Sequence, residues 1–452
     1  MTGRPTLGKR PSSHDKRVSP PPSKRRQQST TTSKAVANFF TPASKKEPEK
    51  MAWRVVNETL LIGRYGALQT AKAIKGKRKV AAFDFDSTLI TSASGKRFGR
   101  DATDWKWWHG SVPGKLRSLY EDGYLVAVLS NQGGISLKGD PKTVKSDQKR
   151  LADFKAKVDA VLAQLDLPCV SVYAATGRDQ YRKPRAGMWH ELLEDYDLEA
   201  ADAADVAASF FVGDAGGRDA VPGMSKDHSC VDRDLAANIG ISFRTPEEFF
   251  LEEDARPFVR TFEPTAYLHD EGAVKSTSAN VPTSFTKTSP VEIVLFCGSP
   301  GAGKSSFYWN NLQPLSYSRV NQDILKTRDK CLQSAAALLD EGTSVVVDNT
   351  NADPETRQHW IALAKKKNVP IRCVLFTAPA KLCEHNDAVR ALNIGSDTNP
   401  EQRTILPKLA FTGFASRYRE PKLSEGFQDI AKVDFRFEGT EAQKELWSRY
   451  WV

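Results

Sequence analysis

The stretch KVAAFDFDST, residues 79–88, runs four apolar residues directly into two aspartates. Val80 to Phe83 has the length and apolar character of a buried strand, and chemistry in α/β proteins lies at the carboxyl ends of strands. Asp84 and Asp86 are two residues apart, so their carboxylates point the same way if the strand continues. Two such carboxylates can divide labour, one staying ionised as a nucleophile and the other protonating a leaving group.

Three further strands follow this stretch, and helical patterns separate them. The strands are predicted at Tyr124–Leu129, Val170–Ala174 and Ser209–Val212, and the helices at Gly114–Asp122, Asp147–Leu165 and Gly187–Tyr196. Alternating strands and helices predict a parallel sheet that is covered on both faces. The carboxyl ends of parallel strands meet at one edge of the sheet, and polar residues follow the strands there.

The DFDST motif at residues 84–88 resembles that of the haloacid-dehalogenase-like phosphatases. The other elements of that family follow in order after the later strands, at Ser130-Asn131-Gln132, Lys183 and Gly213-Asp214. The resemblance implies a Rossmann-type fold in which Asp84 forms a phosphoaspartate and Asp86 acts as general acid and then base. It also implies that Lys183 neutralises the charge that builds on the phosphoryl oxygens. A surface lysine or a turn aspartate would explain each residue alone, but not the ordered set.

The same resemblance assigns roles to the remaining polar groups. It implies that Ser130 and Asn131 bond the phosphoryl oxygens. The metal would be Mg²⁺, held through oxygen ligands by Asp214, the Asp84 carboxylate and the Asp86 carbonyl.

Basic and aromatic residues lie near these motifs. Arg182, Arg185 and Arg218 flank them, and we expect these side chains to hold the backbone phosphates of a nucleic acid. Three tryptophans follow the opening motif: Trp105, Trp107 and Trp108. Stacking on unpaired bases is one interpretation of them, and core packing, which we favour for at least two, is the other.

A second motif, GSPGAGKS, occupies residues 298–305 and follows the apolar run Val291–Cys297. It matches the P-loop pattern, in which backbone N–H groups wrap phosphates, Lys304 reaches the outer phosphates and Ser305 binds Mg²⁺. The residues expected to contact a nucleoside triphosphate are Gly298, Ser299, Pro300, Gly301, Ala302, Gly303, Lys304, Ser305 and Ser306. Further strands are predicted at Tyr317–Val320, Ser344–Val347 and Ile371–Phe376, and helices at Lys326–Glu341, Pro354–Lys367 and Ala380–Leu392.

Transfer of a phosphoryl group to a hydroxyl needs a base, and Asp323 follows one of these strands. It is placed either to accept the hydroxyl proton or to cap a helix starting at Ile324, and the sequence alone does not decide. Asp348, after another strand, would help to bind Mg²⁺ or only end the strand. Arg390 suits a lid that clamps the phosphates, although an exposed helical arginine is the competing interpretation.

Four more motifs accompany these two: VNQD at 320–323, VVVDNTN at 345–351, HNDAVR at 385–390 and TPEEFFL at 245–251. With the order of the two sites, they make residues 53–452 closely similar to the eukaryotic polynucleotide kinase 3′-phosphatases. The resemblance implies an enzyme that repairs DNA ends by removing 3′-phosphates and by using ATP to phosphorylate 5′-hydroxyls. On the same basis Asp323 becomes the residue that activates the 5′-hydroxyl.

The chain departs from the family pattern in three places. Vertebrate members carry an N-terminal forkhead-associated domain, and the ~50 residues in its place here are too few for an ordinary domain. Gln322 stands where vertebrate members have an arginine, and a first lid arginine expected near Ala388 is missing. Lys326, Arg328 or Arg403 would then meet the transition-state charge, and the kinase would be weaker or differently tuned.

Residues 1–50 are rich in Ser, Thr, Pro, Lys and Arg, and they carry 12 basic against 3 acidic residues. They supply nearly all of the net charge of +10, and their composition predicts a disordered tail. Lys24-Arg25-Arg26 resembles a nuclear localisation signal, with a merely solubilising tail as the alternative. Phe39 and Phe40 form a docking motif similar to those that bind the replication sliding clamp, with Ser33 replacing the usual glutamine.

These features divide the chain into a basic tail at 1–50, a phosphatase domain at 51–269, a linker at 270–290 and a P-loop kinase domain at 291–452. Both domains are predicted to be α/β with parallel sheets. No apolar run approaches the ~18 residues of a membrane span. The six cysteines form no CxxC pair, which favours reduced, buried thiols over zinc or disulfides. We expect a nuclear monomer that acts on DNA.

Three other functions compete with DNA end repair. An enzyme that heals cleaved RNA would use the same two chemistries, but the nuclear-type basic cluster and the lack of a ligase segment favour DNA. A scaffold protein with decayed sites would be free to lose the carboxylates and the P-loop, which are intact. An enzyme of small sugar phosphates would be distinguished by whether a 3′-phosphorylated oligonucleotide competes with a small phosphoester.

Overall fold

Two β-sheets organise the chain, one before and one after residues 269–284. The computed structural model describes residues 27–29, 51–66, 77–97, 99–140, 142–199, 203–268, 285–393 and 402–452. We refer to residues 51–268 as the first unit and to residues 285–452 as the second unit. Among the described helices, none is long and apolar enough to cross a membrane.

The first sheet has eight strands, and a two-stranded hairpin accompanies it. In chain order, the strands are β1 (Gln27–Ser29), β2 (Met51–Val56), β3 (Leu60–Gly66), β4 (Val80–Phe83), β5 (Ile90–Thr91), β6 (Lys106–Trp107), β7 (Leu125–Asn131), β8 (Cys169–Ala175), β9 (Phe210–Val212) and β10 (Ser242–Arg244). Strands β5 and β6 form the hairpin, and the others lie in the order β1-β2-β3-β8-β7-β4-β9-β10. The half from β8 to β10 is parallel, which confirms the predicted Rossmann-type arrangement.

The other half of the first sheet is antiparallel and was not predicted. Strand β3 pairs with β2 on one side and with β8 on the other. Its residues Leu60, Leu61 and Ile62 are all buried, as expected of a strand that is covered on both faces. Strand β1 adds to β2 at the edge, so the structure differs from the predicted tail at Gln27–Ser29. Phe39 and Phe40 lie outside the described residues.

Helices cover both faces of the first sheet. They are α1 (Val112–Glu121), α2 (Val144–Leu165), α3 (Gly187–Asp195), α4 (Val231–Ile239) and α5 (Pro246–Phe250). Helix α2 buries one apolar stripe at helical spacing, formed by Phe154, Val158, Val161, Leu162 and Leu165. Helix α5 begins at a capping box, in which the Thr245 hydroxyl accepts the Glu248 N–H and the Glu248 carboxylate accepts the Thr245 N–H.

The three tryptophans lie at the margin of this core. All three are half-buried and pack against the apolar cluster that contains Phe83 and Phe154. Trp105 and Trp107 contact each other edge to face, with ring centroids 5.6 Å apart. The structure therefore supports the core interpretation of these residues.

The second sheet has five strands, all parallel. They are β11 (Ile293–Cys297), β12 (Ser318–Val320), β13 (Val345–Val347), β14 (Ile371–Phe376) and β15 (Ile430–Val433), in the spatial order β12-β13-β11-β14-β15. The first four were predicted, and β15 was not. The first strand of this unit thus lies at the centre of its sheet, between β13 and β14.

Seven helices of the second unit lie within the described residues: α6 (Lys304–Phe307), α7 (Gln322–Leu325), α8 (Arg328–Asp340), α9 (Pro354–Lys367), α10 (Ala380–Leu392), α11 (Lys408–Arg417) and α12 (Glu441–Trp447). Helix α9 has clear signals at both ends. Its cap Asp353 accepts the Thr356 N–H and is followed by proline, and Asn368 ends the helix with a φ of 55°. These local signals explain why its predicted bounds match the structure.

The two units contact each other through an apolar cluster. Phe262, Tyr267 and Leu268 at the end of the first unit pack with Leu382, Val389 and Trp447 of the second. Hydrogen bonds extend this contact. The Asn238 side chain, near the end of α4, bonds both the N–H and the carbonyl of Tyr450.

Two further sequence predictions concern the state of the cysteines and the bounds of the linker. All six cysteines are free thiols, five of them buried and Cys230 half-buried. The end of the predicted linker belongs to the second unit, because Phe285 packs against Phe307 and Tyr317. Residues 269–284 lie outside the described part of the chain.

Candidate active sites

The strand order of the first sheet brings four polar residues to one edge. Strand β4 ends directly before Asp84, and its neighbours β7 and β9 end near Ser130 and Asp214. The Asp84 N–H donates to the carbonyl of Val212, at 2.8 Å, which fixes the turn that leaves the sheet. Lys183 reaches this edge from the segment before α3. The chain order reverses around β4, where open α/β sheets place their ligands.

Lys183 links two carboxylates at the bottom of the site. Its Nζ lies 2.7 Å from Asp84 Oδ1 and 2.8 Å from Asp232 Oδ1. The lysine is buried, which alone would lower its pKa, but Asp232 and Asp84 more than offset burial and raise the pKa of Lys183 to about 12. The ammonium therefore stays charged at neutral pH, directly beside the Asp84 carboxylate.

Asp84, Asp214 and Asp232 can hold a metal ion. Each offers one carboxylate oxygen, and the three oxygens lie within 4.8 Å of one another. Burial, and then the charges of Asp84 and Asp232, raise the pKa of Asp214 to about 8. A divalent cation would relieve this crowding of negative charge, and an all-oxygen donor set suits Mg²⁺. The residues present therefore fit the predicted metal.

Asp232 was missed by the sequence reasoning. It lies in the first turn of α4, after a loop rather than after a strand, so no strand-end pattern marks it. Its neighbours show that the site is built around it. The Ala215 N–H donates to Asp232 Oδ2 at 3.0 Å, and a Cβ on Gly213 would come within 2.4 Å of the same oxygen. The glycine before Asp214 is the one available signal.

Asp86 lies at the open side of the same site. Its Oδ2 accepts a hydrogen bond of 2.7 Å from Gln132 Nε2, which also donates to Ser130 Oγ at 3.0 Å. Burial of the carboxyl group, and then the charge of Asp84, raise the pKa of Asp86 above its ordinary value. A carboxyl group that holds its proton to higher pH is suited to general acid catalysis.

Asn131, which the resemblance places at the phosphoryl group together with Ser130, also bonds the backbone of Lys183. Asn131 Oδ1 accepts the Lys183 N–H at 2.9 Å, and Asn131 Nδ2 donates to the Lys183 carbonyl at 3.2 Å. Both ends of the amide are thus committed to the backbone of Lys183. Asn131 thus holds the lysine segment in place. Both Asn131 and the buried Ser130 line the site, and their contact with a phosphoryl group stays a prediction.

Arg218, which was predicted to contact a substrate phosphate, is engaged within the protein instead. Its guanidinium pairs with Asp227 at 2.9 Å and with Glu247 at 2.5 Å, and it also donates to the Asp214 carbonyl at 3.3 Å. The side chain is buried, and its donors are used within the protein. Arg218 therefore supports the loop that carries Asp214 instead of meeting a substrate.

Six arginines among the described residues line the open cleft, and three of them lie near Lys183 in the sequence. The cleft above Asp84 has a volume of about 970 Å³, and Arg178, Arg182 and Arg185 contribute to its wall. Burial, and then the charge of Arg182, lower the pKa of Arg185 to about 10. Burial and the charge of Arg178 likewise lower the pKa of Arg182. Cations that crowd one another in this way favour an anionic ligand. Residues of the second unit, among them Lys408 and Trp451, also line the cleft.

The P-loop of the second unit turns around its glycines. Gly301 and Gly303 have φ values of 76° and 89°, which other residues rarely adopt. A Cβ on Gly301 would also lie 2.1 Å from the carbonyl oxygen of Cys383. Lys304 is buried, and its Nζ donates to the carbonyls of Gly298 and Ser299 at 3.0 and 2.7 Å. Burial lowers the pKa of Lys304, and the Asp348 charge works against that effect.

Ser305 and Asp348 form a second oxygen site. Ser305 Oγ donates to Asp348 Oδ2 at 2.8 Å, and Arg319 Nη2 lies 2.6 Å from the same carboxylate oxygen. A hydroxyl and a carboxylate at a P-loop fit Mg²⁺. Arg319 was not predicted. The signal for it is a charged residue in the middle of the short strand β12.

The structure bears on one of the two interpretations of Asp323. The cap of α7 is Asn321, whose Oδ1 accepts the Asp323 N–H at 2.7 Å, so the capping interpretation of Asp323 is wrong. The Asp323 side chain is 74% exposed, and its carboxylate lies 3.4 Å from Arg403 Nη2. The carboxylate is therefore open to a substrate beside a basic residue.

Helix α10 joins the predicted lid to the P-loop. Asn386 Nδ2 donates to the Gly301 carbonyl at 3.0 Å, and Arg390 Nη2 pairs with Asp387 Oδ1 at 2.5 Å. His385 is buried on this helix, and burial lowers its pKa to about 4. The imidazole is therefore neutral at physiological pH and packs against Trp447.

The fold and the two sites define a class of proteins that combine a carboxylate-based phosphatase site with a P-loop kinase site. The family described as "Polynucleotide kinase 3 phosphatase" matches residues 79–250, and the family described as "AAA domain" matches residues 293–409. The chain belongs to the bifunctional polynucleotide phosphatase/kinase family. A member from Schizosaccharomyces pombe is 39% identical over 382 residues, which cover 84% of each chain.

A further relative matches the first unit. The polynucleotide 3′-phosphatase of Arabidopsis thaliana is 34% identical over 196 residues, which cover 42% of this chain and 26% of the plant protein. The chain studied here is thus an enzyme with a phosphatase domain and a kinase domain. Such families generally use ATP and Mg²⁺.

Proposed function

We propose that this enzyme restores broken DNA ends, with the first unit removing 3′-phosphates and the second unit phosphorylating 5′-hydroxyls with ATP. The observation that carries the proposal is the presence of two separate sites, each at the reversal point of its own sheet. One gathers Asp84, Asp86 and Lys183, and the other gathers Lys304 and Ser305. The predicted domain bounds, 51–269 and 291–452, remain part of this proposal.

In the first unit, we assign the nucleophile to Asp84. Its carboxylate oxygen attacks phosphorus, the bond to the 3′-oxygen breaks, and Asp86 gives its proton to that oxygen. Asp86 then takes a proton from water, and the hydroxide released attacks the phosphoaspartate, which yields inorganic phosphate and restores Asp84. Lys183 and the Ser130 hydroxyl stabilise the phosphoryl charge.

Asp84, Asp214 and Asp232 would hold Mg²⁺ in this site. The ion would add positive charge beside the phosphoryl group. The side chains of the chain supply the remaining chemistry, because Lys183 stays charged and the raised pKa of Asp86 suits proton transfer.

In the second unit, we assign the base to Asp323. Its exposed carboxylate takes the proton of the 5′-hydroxyl, whose oxygen then forms the bond to the γ-phosphorus of ATP as ADP leaves. Lys304 and the P-loop hold the phosphates, and Arg390 would clamp them from the lid helix. Ser305 and Asp348 would hold Mg²⁺, whose positive charge would stabilise the phosphates. We assign the place of the missing lid arginine to Arg403, whose Nη2 lies 3.4 Å from the Asp323 carboxylate.

The raised pKa of Asp86 predicts a pH dependence. A general acid works only while protonated, so the rate on a 3′-phosphorylated oligonucleotide should fall as pH rises through the pKa of Asp86. Asp86→Asn should lower kcat by about 10²–10⁴-fold and remove this alkaline limb. On p-nitrophenyl phosphate, whose leaving group needs no proton, the variant should still release one equivalent of nitrophenol in a burst. An unchanged pH profile in the variant would contradict the role of Asp86.

The arginines of the cleft predict a dependence on salt. Arg182→Ala should raise the KM for a 3′-phosphorylated oligonucleotide about tenfold. It should also reduce the slope of log KM against log salt by about one, which is the contribution of one phosphate contact. Kinetic constants for p-nitrophenyl phosphate should change little, because that substrate has no further phosphates. Lys145→Ala serves as the control, since Lys145 is exposed and does not line the cleft. Equal effects on both substrates would place Arg182 in the chemistry instead.

The function itself is tested on one gapped duplex that carries a 3′-phosphate and a 5′-hydroxyl. We expect both ends to be converted, the first without ATP and the second only with it. Matched RNA ends and a small sugar phosphate serve as competitors. Faster turnover of RNA ends would favour RNA healing, and competition by the small phosphate alone would exclude a polynucleotide function.

We also propose a nuclear location, on the basis of Lys24-Arg25-Arg26, and sliding-clamp binding through Phe39 and Phe40.

A further inference from the structure

The catalytic lysine of the first unit lies on a segment that is held from two sides. Asn131 bonds the N–H and the carbonyl of Lys183. One residue further, Asn238 Nδ2 donates to the Pro184 carbonyl at 2.8 Å. The backbone that carries Lys183 is therefore fixed at three atoms, and Asn238 supplies the third bond.

Asn238 is itself held by the second unit. Its Nδ2 also donates to the Tyr450 carbonyl at 2.7 Å, and its Oδ1 accepts the Tyr450 N–H at 2.9 Å. A primary amide has two N–H donors, so these contacts use both donors and one acceptor position. Asn238 is also on α4, the helix whose first turn carries Asp232. Helix α4 therefore carries both Asp232, a carboxylate partner of Lys183, and Asn238, which bonds the segment that carries Lys183.

Tyr450 is anchored rather than loose. Its hydroxyl donates to Glu263 at 2.8 Å, and the guanidinium of Arg260 lies 4.7 Å from the centre of its ring. Three residues earlier, Trp447 Nε1 donates to Asn386 Oδ1 at 2.9 Å, and Asn386 bonds the P-loop carbonyl of Gly301. A continuous set of contacts therefore runs from the P-loop to the lysine segment.

We propose that Asn238 is a positioning residue for the phosphatase reaction and that the second unit holds it in place through Tyr450. This inference rests on the phosphatase function proposed above. The Lys183 amine reaches Asp84 and Asp232 at 2.7 and 2.8 Å, so a shift of the Pro184 carbonyl moves the amine away from the phosphoryl oxygens. Misplacement by ~1 Å costs rate by about 10²-fold in enzymes generally.

The test compares two substrates in the full-length chain. Asn238→Ala should lower kcat about tenfold on both a 3′-phosphorylated oligonucleotide and p-nitrophenyl phosphate, with KM unchanged. The loss is shared because the lysine acts on the phosphoryl group, which both substrates carry. Phosphorylation of 5′-hydroxyls by the same variant should be unaffected. A rise in KM for the oligonucleotide alone would overturn the proposal, because it would place Asn238 in strand binding.

A double-mutant cycle tests the link to Tyr450. Tyr450→Ala removes the ring that anchors the backbone partner, whereas Tyr450→Phe, the control, keeps the ring against Arg260. Asn238→Ala and Tyr450→Ala together should be no slower than the slower single variant, because both break one link. Multiplied effects would overturn the link. Asn238→Ser replaces Asn238→Ala if the alanine variant does not fold.

The same assays separate this inference from the function on which it rests. A wild-type enzyme that left 3′-phosphates intact would refute the proposed function. An active wild-type enzyme with an equally active Asn238→Ala variant would refute only the positioning role.

Discussion

Asp84→Asn is expected to abolish removal of 3′-phosphates, with a loss on the order of 10⁴-fold or more, while 5′ phosphorylation stays within about twofold of wild type. An amide oxygen does not form the phosphoaspartate that we assign to Asp84. It also gives Lys183 a neutral neighbour at 2.7 Å in place of a charged one. The kinase reaction should survive because none of the P-loop contacts described above includes Asp84.

The measurement uses the gapped duplex with both ends in one molecule. Asp101→Asn is the matched control, since Asp101 lines the same cleft but bonds only groups within its own turn, such as Thr103. Thermal unfolding should be little changed in Asp84→Asn, because the substitution also relieves the charge that raises the pKa of Asp214. Loss of both activities in a folded Asp84→Asn protein would refute the two-site assignment.

The sequence predicted those residues that follow strands. Asp84, Ser130 and Asp214 come directly after or at the end of apolar runs, and the order of parallel strands brings such positions together. Asp232 follows no strand, and its place beside Lys183 depends on how α4 packs. Tertiary packing of this kind leaves no local pattern in the sequence.

Contacts within the protein could not be predicted either. Arg218 was a candidate for phosphate contact because it lies near the motifs, and Asn131 was one through the family resemblance. Their partners are set by the fold, since Asp227, Glu247 and the Lys183 backbone use their donors. Whether a polar side chain is free for a ligand is a property of its surroundings.

The secondary structure shows the same difference between local signals, which could be predicted, and long-range contacts, which could not. Strand β14 and helices α9 and α10 have their predicted bounds, because apolar runs and end signals are local. Strands β2 and β3 were missed, although Leu60 to Ile62 is an apolar run. Strand β3 pairs with β8, which is more than 100 residues away in the chain, so its antiparallel place could not be predicted locally.

Lys304→Ala is expected to have the converse effect of the Asp84 substitution. The rate of 5′ phosphorylation should fall by about 10²–10³-fold, and phosphate removal should continue unchanged. Lys304 Nζ lies within 3.0 Å of two P-loop carbonyls, where it can reach the outer phosphates of ATP. The alanine variant lacks the one lysine of this loop. The negative charge that develops on the transferred phosphoryl group is then no longer stabilised by the Lys304 ammonium.

Binding and chemistry can be separated in the same experiment. Mg²⁺ with ATP should raise the unfolding temperature of the wild type and of Asp323→Asn, because both keep the P-loop intact. The same addition should raise the unfolding temperature of Lys304→Ala much less. Lys365→Ala on α9, an exposed lysine, is the control for removing a charge. Burial lowers the pKa of Lys304, so its charged form is disfavoured in the folded chain and removing that charge should not itself destabilise the fold. Full kinase activity in Lys304→Ala would mean that another cation, such as Arg319 beside Asp348, carries the role assigned to the P-loop lysine.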